Sequence, residues 1–217
     1  MASSGLFITF EGSEGCGKST QIRRIAGLLS AMGREVITLR EPGGTPIGES
    51  IRNLLQYDET AGAMTPEAEL LLFAASRAQL VREVIRPALE RGAVVLCDRF
   101  LDSTTVYQGV ARALSRGDVT SINDFAIGGT LPNITLLLDL DAAEGRRRAV
   151  VRKGAVDRME QEGEEFYEAV RRGYLELAQG DPHRFAIIDA SASEVVVEKA
   201  ITAVLQKRFQ EVFHGLC

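Results

Sequence analysis

Near the start of the chain, Gly12-Ser13-Glu14-Gly15-Cys16-Gly17-Lys18-Ser19-Thr20 has the residue types and spacing needed to hold a polyphosphate. The glycines open backbone conformations that side-chain-bearing residues avoid. Successive N–H groups can then converge on phosphate oxygens at the positive end of a following helix. The Lys18 ammonium can bridge the outer phosphates, and the Ser19 hydroxyl can ligate Mg2+. The flanks supply the context this chemistry requires. An alternating run at 7–11 reads as a strand entering the turn, and an amphipathic run at 22–32 reads as the helix leaving it. The pattern is Gly-x4-Gly-Lys-Ser, and it predicts nucleotide binding.

A second set of residues reads as a pocket for another anion. Arg40, Arg52, Arg77 and Arg99 fall at strand ends or on crossover helices facing that edge. A guanidinium is the fork-shaped donor suited to phosphate. Phe73 and Arg77 are spaced i, i+4 and share a helix face, so an aromatic that can stack on a base sits beside a donor that can bond its edge. Ser103, Tyr107 and Gln108 follow Asp98-Arg99 at helical spacing. Each has a plainer reading: Phe73 as core, Ser103 as a helix N-cap, any one arginine as solvated surface.

The elements that must position these groups alternate. Strands are predicted at 7–11, 35–39, 93–97, 134–139 and 185–189. Helices are predicted at 19–32, 48–56, 66–90, 103–114, 119–127, 142–152, 166–179 and 194–212, with a loop at 58–64. Strand–helix alternation predicts an α/β fold, a doubly wound five-stranded parallel sheet surrounded by helices, in one domain spanning 1–217. Ligands of such sheets sit at the carboxyl ends of the strands, where Gly12, Arg40, Asp98 and Asp189 fall. At 217 residues, 45% hydrophobic and 25% charged, the chain can bury one substantial core. Its net charge of −5 argues against affinity for a nucleic-acid backbone. Neither a membrane span nor a signal peptide is legible. Cys16, Cys97 and Cys217 lack metal-ligand spacing, and a reducing cytoplasm suits them. Cys97 reads as a core residue. Cys16, among amide donors, reads as a candidate thiolate open to oxidation.

Taken together, Phe10-Glu11-Gly12 with the phosphate loop, Arg40-Glu41-Pro42-Gly43-Gly44-Thr45, and Asp98-Arg99-Phe100-x-x-Ser103-x-x-x-Tyr107-Gln108 resemble the thymidylate kinases. Asp157-Arg158-x-Glu160 and Ile188-Asp189-Ala190-Ser191 extend the match over nearly the whole chain. The resemblance implies a P-loop nucleoside monophosphate kinase passing the γ-phosphoryl of ATP to dTMP, with Mg2+ held by Ser19 and Asp98. It implies that Phe73 stacks on thymine, Arg77 and Gln108 read its edge, and Tyr107 disfavours ribose. Arg52 and Arg99 would hold the acceptor phosphate, Arg40 and Glu41 would shape that loop, and Glu14 would position the sugar. It also implies a homodimer, and a basic lid at about 146–165, in place of an arginine inside the phosphate loop. Arg146, Arg147, Arg148, Arg152, Lys153 and Arg158 supply the lid charge, and Arg148 and Arg152, on one helix face, are the candidates for the transferred group. Asp189-Ala190-Ser191 would line the adenine site. The rival readings are a kinase for another nucleoside monophosphate and a non-catalytic nucleotide switch.

Overall fold

The structure is a computed structural model that describes residues 5–58, 62–151 and 163–213. Five strands make one parallel sheet in the order β2-β3-β1-β4-β5: β1 (Leu6–Glu11), β2 (Val36–Arg40), β3 (Val94–Asp98), β4 (Ile134–Asp139) and β5 (Phe185–Asp189). β1 is central and buried along its whole length, as a strand covered on both faces must be. Register brings the strand ends level: Phe10 lies beside Asp98 and Arg40 beside Asp98 on the next strand, while Asp139 lies beside Asp189. The chemistry-bearing residues therefore share one edge of the sheet.

Helices cover both faces. On one side, α1 (Lys18–Ala31) and the last helix, α9 (Glu194–Arg208), pack Ile22, Ile25, Leu29, Val197, Ile201 and Leu205 onto Ile8, Phe10, Leu96 and Leu136. On the other, Leu80, Val81, Ile85 and Ala88 cover Phe7, Val95 and Cys97. Between these come α2 (Pro46–Gln56), α3 (Pro66–Leu80), α4 (Arg86–Glu90), α5 (Leu101–Thr104), α6 (Arg116–Ile127), α7 (Ala142–Val151) and α8 (Glu164–Gly180). The caps follow the sequence: Thr45 and Thr65 accept from Gly48 N and Ala68 N, each with proline in the first turn.

Two helices expected to be uninterrupted are not. Wider π-turns occupy Val81–Ile85, between α3 and α4, and Thr105–Ala111, after α5. A 3.6-residue period cannot report one added residue in a turn, and such turns recur at functional sites. The second of them buries three successive residues, Val106, Tyr107 and Gln108. Ser103 lies inside α5, so it is not an N-cap. The final helix ends at Arg208, short of the expected 212.

Candidate active site

The phosphate loop is formed and faces a second cleft. Gly12, Gly15 and Gly17 all adopt positive φ, so the turn uses the freedom that only glycine supplies cheaply. Gly17 caps α1, whose first residues are Lys18, Ser19 and Thr20 and whose leading N–H groups point back along the loop. The Lys18 Nζ is buried and donates to Gly12 O at 3.1 Å and Ser13 O at 2.9 Å, which parks the cation where outer phosphates would lie. Ser19 Oγ donates to Asp98 Oδ2 at 2.7 Å, so the two candidate Mg2+ ligands are side by side. Gly15 carries a further constraint. A Cβ there would lie 2.0 Å from Gly145 O, and one on Gly145 would lie 2.5 Å from Glu14 O. Helix α7 thus rests backbone to backbone on the phosphate loop, a role for Gly145 that composition and periodicity do not reveal.

Cys16 does not behave as its neighbours in sequence suggest. It is buried, and burial pushes its thiol up against the opposing pull of Lys18. Desolvation outweighs the Lys18 and Arg99 charges, and the thiolate is disfavoured. Cys97 is a buried core residue with its thiol donating to Arg99 O.

Beyond the loop lies a second, partly open cleft. Glu14, Glu41, Phe73, Arg99, Ser103, Tyr107 and Gln108 line it, drawn from four separate stretches of chain. Pro42, Gln56 and Thr104 complete the wall. Arg99 is its cationic centre. Nη1 donates to Gly12 O at 3.1 Å, Nη2 to Glu14 Oε1 at 2.5 Å, and the guanidinium lies 5.1 Å over the Tyr107 ring. Gln108 is oriented by donating to the buried Glu69 at 2.8 Å. Among the described residues, five buried side-chain polar atoms have no hydrogen-bond partner: Gln21 Oε1, Glu41 Oε1, Gln56 Oε1, Thr104 Oγ1 and Tyr107 OH. All but the first belong to residues lining this cleft. Buried polar atoms are rarely left unmet in a folded chain, so such a concentration marks a wall shaped for a polar ligand.

Three arginines stand elsewhere. Arg77 is not a cleft-lining residue. Its guanidinium is 1% exposed and donates to Glu41 Oε2, Asn123 Oδ1 and Phe100 O, which makes it a brace behind the wall. Arg40 pairs at the surface with Glu49 at 2.7 Å, and Arg52 donates to Pro42 O at 3.0 Å, so both shape the Glu41-Pro42 loop from outside. Glu41 has a carboxyl pushed up to about 7, chiefly by burial, with Arg77 opposing.

In α7, Arg146 and Arg147 are exposed. Arg148 donates to Glu144 at 2.7 Å and to the carbonyls of Ala190 and Ser191 at 3.1 and 3.3 Å. It faces the loop after β5. Arg152, Lys153, Asp157, Arg158 and Glu160 lie outside the described residues, as does Cys217. Sequence reasoning gave no role to Gln56, Thr104, Glu69, Asn123 or Tyr174. Only Glu11, an acid ending an apolar strand, carried a local signal.

A phosphate loop at the central strand of a 2-3-1-4-5 parallel sheet, opposed by an arginine-centred second cleft, defines a P-loop nucleoside monophosphate kinase. The family model for thymidylate kinase matches residues 10–201. The chain is 50% identical over 209 residues to the thymidylate kinase of Geobacter sulfurreducens, across 94% of this chain and 98% of that one. It is 48% identical over 206 residues to that of Deinococcus radiodurans, across 95% and 98%. A crystal structure of thymidylate kinase from Ehrlichia chaffeensis superposes with a TM-score of 0.77 at 34% identity, covering 94% of this chain and all of that one. The chain belongs to the thymidylate kinase family.

Proposed function

We propose that this enzyme transfers the γ-phosphoryl of ATP to dTMP, giving dTDP and ADP. The observation that carries the reading is the cleft in which Phe73, Arg99 and the unmet polar atoms of Glu41, Gln56, Thr104 and Tyr107 gather beside a formed phosphate loop. Phe73 offers a face to thymine, and Gln108 and Thr104 offer polar atoms to its edge. Arg99 meets the acceptor phosphate, Tyr107 closes the space near the sugar 2′ position, and Glu14 steadies the 3′ side. That phosphate is already a nucleophile, so no general base is required; catalysis is positioning and charge neutralisation. Lys18 and the leading N–H groups of α1 hold the donor phosphates.

Ser19 and Asp98 fit Mg2+ as two adjacent oxygen ligands. Among the described residues no group of three or more acidic, His or Cys side chains is arranged around a cation, so phosphate and water oxygens would complete its shell. When bound, Mg2+ supplies positive charge to the β- and γ-phosphates. Arg148 belongs to the adenine side with Ala190 and Ser191, and Arg152 is our candidate for the transferred group. The working form is a cytoplasmic homodimer in this reading, supported by the exposed Leu71 and Phe125 on the adjacent α3 and α6. No helix among the described residues is long and apolar enough to cross a membrane.

ADP release with ATP, Mg2+ and a panel of monophosphates tests the reading. Strong turnover with dTMP, weaker with dUMP and little with CMP, AMP or GMP is expected. ATP binding without turnover of any acceptor would favour the nucleotide switch.

A further inference from the structure

Glu11 ends the central strand and is fully buried, and it forms no ion pair among the described residues. A carboxylate in such a place must have its lone pairs met. Phe100 N donates to Oε1 at 2.8 Å; Ser103 Oγ and Tyr174 OH donate to Oε2 at 2.7 and 2.8 Å. Those donors come from the entry to α5, from α5 itself and from α8. The two hydroxyls have a second task. Arg99 Nη1 donates to each of them at 3.3 Å while also holding Gly12 O. A hydroxyl has one proton and two lone pairs. The two hydroxyls also lie 2.8 Å from each other, so their two protons are shared between that contact and the Glu11 carboxylate, and the remaining lone pairs face Arg99. The Arg99 backbone, at φ 69°, sits in the left-handed region, which the surroundings must sustain.

We propose that Glu11 is a positioning residue for phosphoryl transfer, its carboxylate orienting Ser103 and Tyr174 so that together they hold Arg99 between Gly12 and Glu14. This rests on the reading of Arg99 as the acceptor-phosphate ligand. Glu11 itself touches no substrate. Its effect is one of polarity: a neutral group of the same shape would present an N–H or O–H to the hydroxyls, and their lone pairs would then be contested. Protonation of Glu11 does the same. Burial pushes that carboxyl up to about 7, with Asp102 adding to the shift and Arg99, Ser103 and Tyr174 opposing it. The ionisable groups acting on it or on its neighbours are Arg99 and Cys97 from the end of β3, Asp102 from α5, Tyr174 from α8 and Glu41 from the loop after β2.

The test compares the unsubstituted enzyme with Glu11→Gln, Glu11→Asp and Tyr174→Phe, using ATP, Mg2+ and dTMP from pH 6 to 9, with thermal melts. Glu11→Gln is expected to lose kcat by roughly 10- to 100-fold, the range for groups that orient a ligand-contacting side chain. Its KM for ATP stays within about twofold, while KM for dTMP rises. The acid limb of kcat near pH 7 should be present in the unsubstituted enzyme and absent from Glu11→Gln. Glu11→Asp, which keeps the charge, regains part of the lost kcat. If Glu11→Gln does not fold, Tyr174→Phe carries the test, since it leaves the buried charge in place and should still lower kcat about tenfold. A folded Glu11→Gln with unaltered kcat and dTMP KM overturns the proposal alone. So does an acid limb that persists in it, or a Tyr174→Phe enzyme with full kcat. No transfer to dTMP by the unsubstituted protein sinks the kinase reading and this proposal with it.

Discussion

The acceptor side of the site and the donor side are anchored differently. Behind the acceptor cleft, the Arg77–Glu41 pair is 1% and 3% exposed and is locked further by Asn123 and the Phe100 carbonyl. On α7, over the donor side, Arg147 pairs with Glu144 at side-chain exposures of 69% and 30%. The same two chemical groups meet in both places, yet their consequences differ. A buried pair that loses one partner strands a charge without water, whereas an exposed pair is replaced by solvent and weakened by salt. Ionisation follows the same division. Glu11 and Glu41 are pushed up to about 7 by burial, while Glu144 is held down to about 2 by its bonds to Arg147 and Arg148. A rigid cleft faces dTMP in this account, and an adjustable cationic surface faces ATP. That division suits an enzyme that must select one partner and close over both.

The largest expected effect breaks the buried side. Arg77→Ala should cost about 3–5 kcal/mol of stability, because Glu41, Asn123 and the Phe100 carbonyl would all lose their buried donor. Urea unfolding reads this directly, and a cost under about 1 kcal/mol would mean that the pair anchors nothing.

Somewhat smaller is the pH response of the buried acids. A carboxyl that binds its proton more tightly when folded stabilises the protein most below its unfolded pKa, near 4.5 for the free side chain, and loses that contribution as pH rises towards about 7. Glu11→Gln lacks this titration. Its stability relative to the unsubstituted protein should therefore rise by ~2–3 kcal/mol between pH 5 and pH 8. A difference that does not change with pH would place the Glu11 carboxyl at its ordinary value.

The smallest effect belongs to the exposed side. Arg148→Ala should raise KM for ATP by roughly two- to tenfold, through its lost bonds beside Ala190 and Ser191. The melting temperature and the dTMP affinity should be unchanged. A weakened dTMP affinity would show that the two sides are not separately built.

How much of this was legible in the chain depended on how local each signal was. Gly12 to Thr20 form their site within one turn, and the five strands follow from short apolar runs bounded by glycine, so both could be read directly. Phe73, Arg99, Ser103, Tyr107 and Gln108 converge because the strand ends are level, which strand–helix alternation already implies. The burial of Arg77 was not legible, because it depends on Glu41, 36 residues earlier, and Asn123, 46 later. Helical spacing with Phe73 gives a shared face, but not the partner waiting behind it. Glu11 and Tyr174 are 163 residues apart. Nothing local to either announces that one orients the other. Arg148 was legible as sharing a helix face with Arg152, but the carbonyls that hold it come from a loop some forty residues on.

The most direct test of a preformed acceptor side is calorimetric titration of the nucleotide-free enzyme with dTMP. The account predicts binding at one site per chain without ATP, with the same affinity in Arg148→Ala. Failure of dTMP to bind until an ATP analogue is present would contradict it, because the acceptor cleft would then be assembled by the donor.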